Sequence, residues 1–114
     1  MTDGAPPRPS FQDRFAALQR DWQSQLPGKL REAQERLDAC SATPQDEAGL
    51  EALHRLLHTL AGSAGTFGLA ELGVQARAVE HELDGLRARP QRNASDFDAA
   101  RAQLRELVAR APQA

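Results

Sequence analysis

Apolar residues recur at spacings of three and four in successive segments bounded by proline or glycine, and that pattern leaves few folds open. The cleanest stripes are Leu50, Leu53, Leu57, Leu60, Ala64; then Leu69, Leu72, Ala76, Val79, Leu83, Leu86; then Phe97, Ala100, Leu104, Leu107, Ala111. Each marks one face of an amphipathic helix. Earlier in the chain, Phe11, Phe15, Leu18 and Trp22 form one such face, and Leu30, Ala33, Leu37 and Cys40 another. Ser10 with Asp13 reads as a capping box, Thr43-Pro44 as a cap with a first-turn proline, and Ser95 with Asp98 as a further cap. Pro27 either opens a second helix or kinks a single one. Alanine and leucine dominate, β-branched residues are scarce and tyrosine is absent, a balance that favours helix over strand. The expected fold is all-α: an antiparallel four-helix bundle with an additional short or kinked N-terminal helix. Residues 1–9, with three prolines, read as a disordered leader, and residues 10–111 as the bundle.

Composition removes several functional classes. A formal charge of −2 gives no basic field for nucleic acid. The arginines of Arg87-Ala88-Arg89-Pro90-Gln91-Arg92 are interrupted by proline and read as a solvated loop. No apolar run approaches the roughly 20 residues that span a bilayer, and the N-terminus lacks the basic-then-apolar order of a secretory signal. Cys40 is the single cysteine, so no internal disulfide forms and a reducing compartment, the cytoplasm, is expected. It faces the predicted core and is expected to be inert.

The segment Leu56-Leu57-His58-Thr59-Leu60-Ala61-Gly62-Ser63-Ala64-Gly65-Thr66-Phe67-Gly68 is less easily explained by packing. Glycine costs roughly 1 kcal/mol per interior helical position relative to alanine, so Gly62 needs a reason. At about 100° per residue, His58 lies roughly 130° from the centre of the apolar stripe and His54 roughly 90°. Gly62 and Arg55 share the His58 side, with Gly65 beside them. An exposed imidazole therefore stands next to a step free of side chains. Such a residue suits insertion into another protein's pocket better than catalysis in a pocket of its own. His54 and His58, four apart, have the spacing of a zinc chelate. However, His54-Arg55-Leu56-Leu57-His58 lacks the glutamate of the metalloprotease motif, His81 lies on another helix as surface decoration, and no metal site is expected. No phosphate-loop pattern occurs.

His58-Thr59-Leu60-Ala61-Gly62-Ser63-Ala64, with Gly68 and Leu72 following and Val79-Glu80 further on, resembles the signature of histidine-containing phosphotransfer (HPt) domains of bacterial multistep two-component signalling. The direct likeness covers about 25 residues, and the helix count suits the rest of the family's bundle. The resemblance implies that His58 is the phosphoacceptor, that Gly62 gives clearance for a receiver domain, that Gly68 permits tight entry into the next helix, and that Ser63 braces the turn. One departure stands out: the family commonly carries lysine where this chain has Ala61. Loss of that cation should slow transfer or weaken the encounter, with Arg55 a partial substitute.

The implied partners are response-regulator receiver domains and a hybrid sensor histidine kinase. Mg2+ is expected on the receiver and no cofactor on this chain, which is expected to act as a monomeric phosphohistidine carrier rather than a stand-alone enzyme. An unperturbed imidazole with a pKa of about 6.5 is largely neutral and nucleophilic at cytoplasmic pH. The alternative is a helical interaction module that binds a receiver or regulator domain without being phosphorylated.

Overall fold

A computed structural model describes residues 8–112. Within them lie four helices: α1 (Phe11–Ala42), α2 (Glu47–Ala64), α3 (Ala70–Arg87) and α4 (Asp98–Arg110), the last entered through a 3-10 turn, Ala94–Phe97. No strand occurs among the described residues. Short connectors make successive helices antiparallel, and α1 packs against both α2 and α4, closing the bundle. Most of the disordered leader expected over residues 1–9 lies outside the described residues.

The two segments either side of Pro27 belong to one helix of 32 residues. An interior proline costs about 3 kcal/mol, whereas burying one large apolar side chain contributes about 1.5–3 kcal/mol. Trp22, Leu26, Leu30, Ala33, Leu37 and Cys40 are all buried on the same helix, so packing on both sides outweighs the break. The capping box expected at its start is formed: Ser10 Oγ accepts from Asp13 N–H, and the Asp13 carboxylate accepts from Ser10 N–H.

At about 1.5 Å per residue, α1 is roughly twenty ångströms longer than α2 or α3, so its first turns extend past them. Phe11 and Leu18, expected on the core face, are therefore exposed. Phe15 and Trp22 instead stack on Phe67 in the α2–α3 connector, with ring centroids 6.0 and 5.5 Å away. Gln19 and Gln23 each donate from Nε2 to the Phe67 carbonyl at 3.0 Å. Gly68 closes this connector at φ +89°, a conformation that disfavours any residue with a Cβ.

Two other helix starts differ from expectation. The N-cap of α2 is Asp46, whose Oδ1 accepts from Gly49 N–H at 3.1 Å, while Thr43 closes α1. In the last connector the Asp96 carboxylate accepts from Asn93 N–H at 2.7 Å. The turn thus begins two residues before the Ser95 cap.

Arg92 is the larger correction. Expected in a solvated loop, its side chain is completely buried. Its guanidinium donates to the carbonyls of Pro44, Leu86 and Arg89 at 2.7, 3.2 and 3.1 Å and to Glu47 Oε1 at 2.7 Å. Gln45 returns a bond to the Arg92 carbonyl at 2.6 Å. One cation thereby satisfies backbone acceptors from the α1–α2 connector, the end of α3 and the α3–α4 connector. Because an orphaned buried acceptor costs about 1–3 kcal/mol, Arg92→Leu should lower stability by about 2–4 kcal/mol in urea denaturation. Arg92→Lys should fall between the two, since an ammonium cannot reach the same set of carbonyls.

Candidate functional site

The site is built on the α2–α3 pair, which approaches closely because its facing residues are small. A Cβ added to Gly73 of α3 would lie 3.3 Å from the Ala61 carbonyl oxygen and 3.5 Å from Ala64 Cβ on α2. Ala61, Ala64, Gly73 and Ala76 are all buried. Further along the pair, away from the connector, this approach brings polar side chains of the two helices into register.

Three cross-helix contacts follow one another down the pair. His58 meets Glu80, His54 meets Asp84, and Glu51 meets Arg87. The steps are four residues and then three on both helices, running in opposite directions, as antiparallel helices with 3.6 residues per turn require. His58 Nδ1 lies 2.7 Å from Glu80 Oε2. A carboxylate only accepts, so Nδ1 carries the proton and donates. The neutral ring then has its lone pair on Nε2, on a side chain 69% exposed. Glu80 is only 12% exposed, and its Oε1 is buried without a hydrogen-bond partner among the described residues.

His54 sits deeper, its side chain 15% exposed, with Nε2 2.8 Å from Asp84 Oδ1 and 3.6 Å from Glu80 Oε2. The two histidine rings are near-parallel, with centroids 6.4 Å apart. Arg87 grips Glu51 with Nε at 2.7 Å and Nη2 at 3.1 Å, and gives Nη1 to Asp84 at 2.8 Å. That hydrogen bond from Arg87 is the main cause holding the Glu51 carboxyl below its usual pKa. At Asp84 burial pushes upward as the largest single influence. Arg87 and His54 together outweigh it, leaving that carboxyl lowered as well. The hydrogen bonds to Glu51 and then Asp84 raise Arg87 in turn.

The remaining residues singled out by sequence fall as follows. Gly62 is exposed, and a Cβ there would meet nothing within 4 Å. Nothing among the described residues therefore requires glycine there. Gly65 is likewise exposed with open space around it, at ordinary helical angles. Arg55 is exposed and makes no hydrogen bond or ion pair among the described residues, although its charge contributes to lowering Glu51. Ser63 serves the turn through its carbonyl, which accepts from Phe67 N–H at 3.1 Å, rather than through its hydroxyl.

Ala61 differs from the picture of an open surface position that lacks a charge. It is 5% exposed and belongs to the packed α2–α3 seam. Cys40 is buried, and burial is the main cause raising its thiol pKa, as suits an unreactive core cysteine. His81 is exposed.

Glu80 is the residue that the sequence reading undervalued. In the sequence it enters only as half of the Val79-Glu80 pair. The signal was present in the matching four-then-three spacing of His58, His54, Glu51 against Glu80, Asp84, Arg87. Reading it required the turn about Gly68 to be placed first.

Chemically, the arrangement offers one outward nitrogen lone pair, a proton fixed on the opposite ring nitrogen, and an unobstructed approach past Gly62. With its side chain 69% exposed, His58 stands out from the bundle surface, so a reacting partner would bring most of the polar machinery.

The model of the Hpt domain family matches residues 12–114. Comparison with curated proteins and with solved structures returned no match. The family match spans almost the whole chain and all four helices, and it includes the helix pair that carries His58 and Glu80. This chain belongs to the Hpt domain family.

Proposed function

We propose that His58 accepts a phosphoryl group from the aspartyl phosphate of a receiver domain and passes it onward to another. Membership of the Hpt family assigns the chain to histidine phosphotransfer in phosphorelays generally, among receiver domains and kinases. The observation that supports His58 in particular is the division of its ring. Nδ1 is committed to Glu80 at 2.7 Å, while Nε2 belongs to a side chain 69% exposed.

In the proposed transfer the Nε2 lone pair attacks phosphorus in line. The N–P bond forms as the P–O bond to the receiver's aspartate breaks, and that aspartate leaves as a carboxylate. The ring gains positive character as the bond forms. Glu80, accepting from Nδ1–H, offsets that charge and keeps the ring from turning. Phosphoryl transfer depends mainly on positioning and electrostatics, and the receiver is expected to bring Mg2+ and its own cation. Arg55, Gly62 and Gly65 form the surrounding docking surface, with His54 and Ser63 partly exposed at its edge and Ala61 buried beneath it. The chain needs no other group of its own in that scheme, and a monomer keeps the surface free.

His58→Gln should keep the fold and abolish phosphate acceptance, read by intact mass under non-acidic conditions after exposure to phosphoramidate or phosphorylated receivers. If wild type takes no phosphate from any donor, the chain acts instead as a receiver-binding module. Glu80→Gln should retain acceptance but slow it by about tenfold. The hydrogen bond to a charged group is worth about 1.5–3 kcal/mol, and the amide retains part of it. Gly62→Ala separates stability from docking. With open space around it, the variant should be more stable by up to about 1 kcal/mol in urea, while stopped-flow transfer from a receiver slows.

A further inference from the structure

The cluster beside His58 contains more carboxylate than the imidazole needs. Glu80 and Asp84, four apart on α3, face His54 on α2. One ligand atom from each of the three lies within 4.8 Å of the others. Zinc bonded to nitrogen and oxygen at about 2.0–2.2 Å in a tetrahedron places its ligand atoms about 3.3–3.5 Å apart. His54 Nε2 is already 3.6 Å from Glu80 Oε2, and its 2.8 Å contact with Asp84 Oδ1 needs to open by only about half an ångström to admit the ion.

The charges also suit a cation. Glu51 and Asp84 share Arg87, the one guanidinium bonded within the cluster among the described residues, while Glu80 faces the two histidines. An ion would take the place of the proton between His54 Nε2 and Asp84, leaving the neutral ring protonated on Nδ1. It would displace Arg87 Nη1 from Asp84 but leave its two bonds to Glu51 in place. Arg87 Nη1 lies 3.4 Å from His54 Nε2, so the guanidinium occupies the mouth of the same space. Asp84, with its side chain 49% exposed, provides the route in.

We propose that His54, Glu80 and Asp84 form a binding site for one zinc-like divalent cation, with water as the fourth ligand, and that its occupancy withdraws Glu80 from His58. Imidazole selects zinc over magnesium, which prefers all-oxygen octahedral shells and gives up its water reluctantly. A chain working beside a magnesium-loaded receiver can therefore keep this site free of Mg2+. The ion would bond to Glu80 Oε2, the atom that accepts from His58 Nδ1. Zinc then competes with the positioning of the phosphoacceptor. The inhibitory consequence rests on the phosphotransfer reading of His58, whereas the binding itself does not.

The two are measured separately on the tag-free full chain. Titration calorimetry with ZnCl2, supported by the absorption spectrum with Co2+, should give one ion per chain and a raised melting temperature. Excess MgCl2 should have no effect. His54→Ala and Asp84→Asn should each weaken zinc binding at least about tenfold while keeping a cooperative melt, and His58→Gln, which removes the competitor for Glu80, should bind at least as tightly as wild type. The site is overturned by any of three results: no binding at about 100 μM zinc, binding undiminished in both ligand variants, or binding lost in His58→Gln. In the second arm, zinc should slow phosphate acceptance from phosphoramidate by about tenfold in wild type and have no effect in His54→Ala. Binding without that slowing overturns the inhibitory role. Failure of zinc-free wild type to take phosphate counts against the phosphotransfer reading and leaves the binding result standing.

Discussion

The close approach of α2 and α3 at Ala61, Ala64 and Gly73 is the contact on which the rest of the site depends. A methyl group added at Gly73 would press on the Ala61 carbonyl, so larger residues here would push the helices apart. The contact between His58 Nδ1 and Glu80 spans 2.7 Å, and separation of the helices by even an ångström would leave that proton without its acceptor. Packing of residues with no chemistry of their own thus sets the tautomer of the one residue proposed to react.

Two devices outside the seam keep the pair in register. At one end the N-terminal half of α1 holds the α2–α3 connector through the Phe15–Phe67–Trp22 stack and two glutamine bonds to the Phe67 carbonyl. At the other end Arg92 ties the α1–α2 connector to the end of α3. Between these ends, three polar contacts step down the helices. Only the first places an exposed imidazole at the surface. His54 is drawn into the cluster by Asp84 and Glu80, although both histidines lie on the same helix one turn apart.

Much of the fold was legible because helix periodicity and core burial are local regularities. The Leu50–Leu60 and Leu72–Leu86 stripes are buried as their spacing implies, and Phe97, Ala100, Leu104 and Leu107 line the core face of the last segment. Helix ends were harder to place. Thr43, Asp46, Asn93 and Ser95 are all plausible caps, and the choice among them depends on what the neighbouring backbone must bond. Arg92 departs from expectation for a related reason: a proline-broken run of arginines reads as solvated, and only the fold brings the carbonyls of Pro44, Leu86 and Arg89 around one of them. Leu18 and Phe11 were assigned to a core face that continues only as far as a partner helix does.

The sequence by itself determined that this chain forms amphipathic helices, that they must bundle, and that His58 and Gly62 share an outward face. Those properties follow from residue spacing along a single helix. Tertiary structure alone decided that Pro27 lies inside an unbroken α1, that Ala61 is buried in a seam, that Arg92 is a core cation, and that Glu80 is the acceptor for His58. Each of these depends on residues distant in sequence. A side chain's partner across an antiparallel pair is fixed only once the turn between the helices and the depth of their packing are known.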